Sequence, residues 1–523
     1  MSAARSIAII GAGPGGLAAA MQLAASGAHV TLLERGGQVG GRSGRIDLDG
    51  FRFDTGPTFF LYPRVIEEIF ASCGYNFRSE IEMRRLDPIY CLSFLRADDQ
   101  MDHLRLWTDP DRLAAAVQQF SPHDAGALQR FMADSRKKLA AFEPVLARPF
   151  GSVAAFFDTE VLNALRHLRP WATIDAELAR YFDDPRLRLA FSFQSKYLGM
   201  SPYRCPSLFT ILSFLEHEHG VWHPLGGCSA VMEKMAQLAI EMGVEIKLNQ
   251  PVREIQFEGH RAVGVRTDER DYRTDAVVMN ADFAHAMRTL IPERLRRRWT
   301  NDKIESKRYS CSTFMLYLGI EGEIDLDHHT IVLAHDYAEN LREIESGDAP
   351  PVAPSLYIHN PARTDRTLAP KGQSALYVLV PVGNLDRGVD WVAERGRYRA
   401  LILRRLEALG IKDIERRIRV EKVMTPLDWE SDLAVFRGAT FNLTHSLNQM
   451  LCWRPHNRFE DVDGVYLVGG GTHPGSGLPV IFEGARITSN LIAEDLGLRS
   501  PSTGKVGTPS SKSVLHDVLE PIA

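Results

Sequence analysis

Ser6-Ile7-Ala8-Ile9-Ile10-Gly11-Ala12-Gly13-Pro14-Gly15-Gly16 stands near the start of the chain, and an Ala/Leu-rich stretch then leads to Gly27, residues 28–33 and Glu34. The apolar run before Gly11 predicts a buried strand, the glycines a tight turn, the Ala/Leu stretch a helix, and residues 28–33 a second strand that closes on an acid. A dinucleotide-binding unit requires this order. Gly11 permits the turn, and Gly13 lets the backbone approach a pyrophosphate at the helix N-terminus, where free N–H groups and the dipole favour an anion. Gly15 belongs to the same turn, and Gly16 lets the helix lie close on the strand. Glu34, about 20 residues on, is placed to accept a ribose hydroxyl.

That pattern alone fits a nicotinamide or a flavin nucleotide. Gly40-Gly41-Arg42 and Asp54-Thr55-Gly56-Pro57 follow it closely. Isolated, Gly40-Gly41 reads as a surface turn. Coupled to the fingerprint, the pair and its arginine suit the second phosphate and the far end of a longer cofactor, which favours flavin. No cysteine or histidine stands at an evident attachment position, so the expected cofactor is non-covalent FAD.

At 523 residues the chain exceeds one simple core and is expected to hold two or three lobes. Apolar content of 45% and charged content of 24% are those of an ordinary soluble protein, and a net charge of -5 gives no basic field for nucleic acid. Arg294-Leu295-Arg296-Arg297-Arg298, with Lys303, Lys307 and Arg308, reads as a patch for anionic lipid or as a solvated helix face. The six cysteines are scattered without a CxxC, which points to a reducing compartment and away from disulfides or zinc. Glu216-His217-Glu218-His219 places both histidines on one side only as a strand, and no distant cluster completes it, so no metal site is read. Arg5 before an apolar run is not a signal peptide, because the fingerprint uses those residues. No stretch of ~20 apolar residues free of charge predicts a transmembrane span. From Arg499 the chain is Ser/Pro/Gly/Lys-rich and is expected to be disordered, with a short apolar element at 514–522.

Two further segments read as parts of the nucleotide lobe. Trp222-His223-Pro224-Leu225-Gly226-Gly227 opens a helix with Val231, Met235 and Leu238 at helical spacing, followed by strand-like runs at 244–248, 252–257, 262–267 and 276–279. Near the C-terminus, the apolar run 465–468 enters Gly469-Gly470-Gly471-Thr472-His473-Pro474-Gly475-Ser476-Gly477. A helix follows from about Pro479, with Ile481, Ala485, Thr488, Ile492 and Leu496 inward. The block before residue 220 is helical in pattern; the block before 465 mixes strands at 313–320 and 374–381 with a charged helix at 391–409. The expected fold is α/β: a discontinuous Rossmann-type FAD-binding lobe (1–80, 220–300, 455–497), with an inserted α+β substrate lobe (81–219, 301–454). That lobe is expected to carry a helical membrane-facing region, and a tail (498–523) completes the chain.

The opening fingerprint, Gly220-Val221-Trp222 with Pro224, Gly226 and Gly227, Asn280-Ala281-Asp282, Lys307-Arg308 and Leu368-Ala369-Pro370-Lys371-Gly372 together resemble bacterial-type phytoene desaturases and their carotenoid-modifying relatives. So do Arg454-Pro455-His456-Asn457 and, most specifically, the run from Tyr466 to Pro479 that contains Gly471-Thr472-His473-Pro474-Gly475. The likeness spans Ile7 to Gly497. It implies a flavin amine-oxidase-like fold, FAD, a tunnel for a long apolar polyene or isoprenoid, and quinone or oxygen as electron acceptor. It also implies a cytoplasmic protein held peripherally on the inner face of a membrane. Members remove hydrogen from an acyclic isoprenoid by hydride transfer to flavin and proton loss. Their substrates are C40 phytoene, C30 dehydrosqualene-type chains or modified carotenoids, and some relatives oxygenate, isomerise or saturate instead.

The residues expected to hold the cofactor are Gly11, Gly13, Gly15, Gly16, Glu34, Arg35, Gly41, Arg42, Pro57, Thr58, Val252, Asp282, Gly470, Pro479, Val480 and Ile481. Ile481 and Phe482 put bulk where the substrate is expected to meet the flavin, which is compatible with a C30 or partly desaturated chain. Candidate proton acceptors are Glu483 and His473, with Asp54 and Asp282 behind them. Each also reads as a structural group: His473 a loop hydrogen-bonder, Glu483 a helix-start acid, Asp54 a turn-former and Asp282 a helix cap. A non-enzymatic isoprenoid carrier, an amine oxidase and a nicotinamide dehydrogenase are the competing classes. The intact fingerprint weighs against the first, the Thr472–Gly475 loop against the second and the C-terminal segment against the third.

Overall fold

A computed structural model describes residues 5–96, 98 and 100–501. The strand Ser6–Ile10 is almost wholly buried, as its Ile/Ala composition dictates, and pairs in parallel with His29–Leu33 on one side and Ala276–Met279 on the other. Glu245–Lys247 and Val465–Leu467 extend it to a five-stranded parallel sheet drawn from three distant parts of the chain. The helix Pro14–Ala25 begins with Pro14 in its first turn, where the missing N–H costs nothing. Its small residues let it pack against both Cys228–Glu241 and Leu478–Leu496. Asp54 closes this lobe from afar: its carboxylate accepts from the N–H groups of Cys228 (2.9 Å) and Ser229 (2.8 Å), capping the Cys228–Glu241 helix. The turn-former expected at Asp54 is thus a helix cap reached across 174 residues.

A seven-stranded sheet builds the second lobe, in the order Ile418–Met424, Ser312–Glu321, Gln373–Val382, Leu356–His359, His329–Leu333, Tyr90–Leu95, Met101–Leu106. The last two strands come from the block that reads as helical. Tyr90-Cys91-Leu92-Ser93-Phe94 is a short β-forming run whose burial shows only once it lies in parallel beside His329–Leu333. The rest of that block is helical, with Pro110–Phe120, Ala127–Leu146, Thr159–His167 and Thr210–His219. Among the described residues no helix is long and apolar enough to cross a membrane. Residues 502–523, including the apolar run at 514–522, lie outside the described residues.

The basic run at 294–298 is not one helix face: Arg294 and Arg297 are exposed, whereas Arg296 and Arg298 serve the fold. Arg296 is buried and donates to the carbonyls of Ile291 (3.1 Å) and Trp299 (2.8 Å) and to Asn301 (2.9 Å). The backbone N–H groups of Arg297 and Arg298 donate to Asp461. The Arg298 side chain turns inward to the Cys452 carbonyl.

Candidate active site

One cavity of about 680 Å³ joins the two lobes. On the nucleotide side it is lined by Gly11, Gly13, Glu34, Arg35, Gly41, Arg42, Val252 and Asp282, and then by Pro57, Thr58, Gly470, Pro479, Val480 and Ile481. Its other wall is apolar, formed by Phe59, Phe193, Leu212, Leu215, Ile331 and Leu333. Of the residues expected at the cofactor, Gly15 and Gly16 alone are not in this lining. A Cβ on Gly15 would stand 2.8 Å from Asn280 Oδ1 and 2.8 Å from Val468, and one on Gly16 would stand 2.2 Å from the Gly11 carbonyl. Both glycines serve close packing of helix on strand.

Glu34 is fixed at the end of its strand. One carboxylate oxygen accepts from Ala12 N–H and the other from Gly36 N–H, each at 2.8 Å. Gly11 sits at φ +98°, which only glycine adopts without strain. Gly13 and Gly41 face each other so closely that a Cβ on Gly41 would lie 3.6 Å from Gly13 Cα. Side chains at either position would fill the slot between the two loops, and their absence leaves room for a phosphate pair. Asp282 caps the helix Phe283–Leu290 through His285 N–H (3.2 Å) and accepts from Asn442 Nδ2 (2.7 Å). Burial raises its pKa and the charge of Arg42 opposes that rise; burial likewise lowers the pKa of Arg42.

Neither expected proton acceptor reaches the cavity. Glu483 turns to Arg486, whose Nη2 donates to both carboxylate oxygens at 2.7 Å and whose Nη1 lies 3.3 Å from Glu68. His473 donates Nε2–H to the Arg148 carbonyl at 2.9 Å, packs against Phe150, and is pushed down to about 4 by burial. Phe482 also departs from its expected place: it is buried in the core of the nucleotide lobe, and Ile481 alone of the pair lines the cavity. Leu478 to Ile481 all border the cavity, and Phe482 is the first residue of the helix to face wholly into the packed interior.

The structure gives roles to groups that the sequence reading assigned to no function. Arg454 is wholly buried and holds the loop behind the cavity, its guanidinium donating to the carbonyls of Gly470, Thr472, Leu443, Thr444 and Gln449. Lys196 lines the cavity, and burial lowers its pKa to about 8. Glu216, from the Glu216–His219 run, lies on the helix Thr210–His219 and is fully buried. It accepts from Tyr90 (2.9 Å) and Gln194 (2.8 Å), while its second oxygen has no protein partner. Burial raises its pKa to about 7, against the hydrogen bonds that lower it.

An acid whose folded pKa lies above its unfolded value contributes stability that is fully present below the unfolded pKa and is lost as pH rises through the folded one. For Glu216 that window runs from the ordinary carboxylate range up to about 7. Glu216→Gln keeps the shape and removes the charge. The variant is expected to match the parent near the bottom of the window and to be more stable above it by about 3 kcal/mol. Parallel denaturation curves for both proteins across this pH range, with the same gap throughout, would exclude a buried titrating Glu216.

The family model described as flavin containing amine oxidoreductase matches residues 14–496. The 4,4'-diapophytoene desaturase (4,4'-diapolycopene-forming) of Methylomonas sp is 43% identical over 94% of this chain and 96% of its own. The all-trans-zeta-carotene desaturase of Myxococcus xanthus is 37% identical over 94% of each chain. Among solved structures, cyclohexylamine oxidase from Brevibacterium oxydans superposes with a TM-score of 0.58 at 16% identity, covering 94% of this chain and 100% of that one, a likeness of fold. With a nucleotide slot and an apolar wall in one cavity, these matches define an FAD-dependent oxidoreductase. The chain belongs to the flavin-containing amine oxidoreductase family and, within it, to the bacterial-type phytoene and carotenoid desaturases.

Proposed function

We propose that the protein desaturates an acyclic isoprenoid polyene, with a C30 chain as the preferred substrate and quinone or oxygen as the final oxidant. The observation that carries this reading is the single cavity, which runs from the glycine slot to a wall of Phe and Leu side chains without a break. The 43% identity to an enzyme named for a diapophytoene supports the C30 preference.

FAD, when bound, supplies the hydride acceptor for a C–H bond that no side chain is able to oxidise. Gly11, Gly13 and Gly41 leave the backbone free to hold its pyrophosphate, Glu34 is oriented for a ribose hydroxyl, and Arg42 brings positive charge to the same end. The helix Leu478–Leu496 points its first turn at the cavity. Pro479 has no N–H and Ile481 N–H is bonded to Gly477, so Val480 offers an amide with no intrahelical acceptor. That positive helix end stabilises negative charge developing beside Pro479–Ile481. Phe59, stacked on His329 with centroids 4.0 Å apart, and Tyr197, 5.2 Å from Phe59, keep water from the reacting carbon. Glu34 and Asp282 are the carboxylates of the described lining, and both are engaged in fixing backbone. The proton therefore leaves without a carboxylate acceptor at the cavity wall. An amine substrate suits the site poorly, because Lys196 would repel an ammonium and no free carboxylate faces it.

Product analysis in cells supplying either a C30 or a C40 acyclic precursor tests the reading. Conversion of the C30 chain to longer polyenes is expected, with less or none of the C40 chain, and unchanged precursors in both strains would reject it.

The substrate dissolves in lipid, so the protein works from a membrane surface. Phe157 (77% exposed) and Trp171 (73%) stand out from the segment at 153–171, while Val161, Ala164 and Leu168 of that segment pack with Leu208 and Ile211. Leu208 stands just before, and Ile211 within, the helix Thr210–His219 that supplies Leu212 and Leu215 to the cavity. Aromatic side chains of this kind favour the bilayer interface. Flotation with liposomes is expected for the parent protein and is expected to fall severalfold in the Phe157→Ser, Trp171→Ser double variant, with flavin retained. Equal flotation of the two would move the contact elsewhere.

A further inference from the structure

Beyond the aromatic wall of the cavity the fold brings together three histidines that are far apart in sequence. His223 belongs to the strand Val221–Pro224, His328 directly precedes His329–Leu333, and His359 ends Leu356–His359. All three are buried, and one ring nitrogen from each lies within 4.8 Å of the others. Nε2 of His328 and Nε2 of His359 are 3.1 Å apart. The outer side of the group is held in place: His328 Nδ1 meets Thr364 Oγ1 at 2.8 Å, and His223 Nε2 meets Asp365 Oδ2 at 3.2 Å. Asp365 is in turn fixed by the N–H of Gly226 (2.7 Å) and by the N–H (3.0 Å) and hydroxyl (2.6 Å) of Thr367.

We propose that His223, His328 and His359 bind a divalent transition-metal ion of the zinc type, with Asp365 as the carboxylate that holds the His223 ring. Three imidazoles are a donor set that zinc takes with water in its fourth position. Zinc–nitrogen bonds of about 2.0–2.1 Å in a tetrahedron put neighbouring nitrogens about 3.3 Å apart. The His328–His359 separation of 3.1 Å is close to this value, and the His223 nitrogen lies within 4.8 Å of both. A dication in a dry site needs negative charge beside it, and Asp365, locked by three donors besides His223, supplies that charge and orients the ring it touches.

None of the three histidines lines the cavity, so the ion takes no part in hydride transfer. Its place is between the lobes. His223 lies just before the Gly226-Gly227 turn that starts the nucleotide-lobe helix, and His328 and His359 lie in or beside the large sheet whose Ile331 and Leu333 line the cavity. The ion would fasten that sheet to the nucleotide lobe.

Flavin-loaded protein, produced without a metal-affinity tag in zinc-supplemented cells, is to be analysed for zinc, copper, nickel and iron by plasma mass spectrometry. About one zinc per chain is expected, together with a fall in melting temperature on treatment with a strong chelator. Growth in cobalt is expected to give the visible bands of tetrahedral Co(II) beneath the flavin spectrum. His359→Gln and His223→Phe are expected to lose the ion and the cobalt bands while keeping flavin. Wild-type protein with full flavin, less than about a tenth of any of these ions per chain and no cobalt bands would overturn the proposal, leaving a hydrogen-bonded histidine cluster. The wild-type readings decide the matter even where a variant does not fold.

Discussion

Gly16→Ala is expected to yield no folded nucleotide lobe and no flavin, whereas Gly13→Val is expected to fold and still lack flavin. The two glycines are three residues apart and fail for different reasons. A Cβ on Gly16 would lie 2.2 Å from the Gly11 carbonyl oxygen and 2.8 Å from Asn280 Nδ2, the atom that donates to that same carbonyl at 2.9 Å. Carbon and oxygen pack no closer than about 3.3 Å. Gly11 O cannot retreat, because its residue ends the central strand at φ +98° and its own N–H is bonded to Leu33. The cost therefore exceeds the about 1–3 kcal/mol of an ordinary overpacked core, where side chains are free to shift. Gly13 has φ -76° and ψ 178°, open to any residue, and the nearest atom to its Cβ is a side-chain nitrogen at 3.1 Å. A valine there fills the slot facing Gly41 without breaking the strand–helix contact. Soluble yield, far-ultraviolet circular dichroism and released flavin separate the cases. A soluble, flavin-loaded Gly16→Ala protein would refute the packing account, and flavin in Gly13→Val would refute the phosphate slot.

These glycines were legible in the sequence because everything they touch is set by a contiguous strand, turn and helix, with a fixed spacing to Glu34. The C-terminal loop was legible for the same reason, and it brought Pro479, Val480 and Ile481 to the cavity as expected. What the sequence hid depends on direction or on distance. Ile481 and Phe482 are equally apolar neighbours, and only the orientation of the Leu478–Leu496 helix decides that one meets the cavity and the other the core. Glu483 reads as an acid at a helix start, but the helix begins at Leu478 and has no acid in its first turn; Glu483 sits in the second turn, where Arg486 holds it away from the cavity. Arg296 and Arg298 look like a charged surface because sequence shows charge and not the carbonyls waiting for it. His223, His328 and His359 show no metal spacing, since the strands that carry them meet only in the finished fold.

Arg454→Met is expected to remove soluble flavin-loaded protein, and Arg454→Lys to leave a folded protein that is less stable and releases flavin faster. Arg454 is a buried cation with no carboxylate among its hydrogen-bond partners; burial lowers its pKa, and five carbonyl dipoles hold the charge in place. Two of those carbonyls, Gly470 and Thr472, belong to the loop that lines the cavity and precedes the helix of Pro479–Ile481. The others, Leu443, Thr444 and Gln449, belong to the segment that packs behind it. One guanidinium thus sets the distance between the glycine-rich loop and the segment that packs behind it. Methionine fills the volume but takes the donor from all five; Thr444 keeps a long contact to Gln449 Nε2 (3.5 Å), and each carbonyl left unpaired costs about 1–3 kcal/mol where water cannot enter. Even three such losses approach the whole stability of a typical protein, about 5–15 kcal/mol. Lysine keeps the charge but has three donors against five acceptors, so at least two carbonyls stay unpaired, a loss on the order of 2–6 kcal/mol. Because Gly470 borders the cavity, the slackened loop should show first as faster flavin loss, measured by fluorescence after dilution, and then as a lower melting temperature. An Arg454→Met protein with parental melting temperature and flavin release would mean that the loop holds its shape without the clamp.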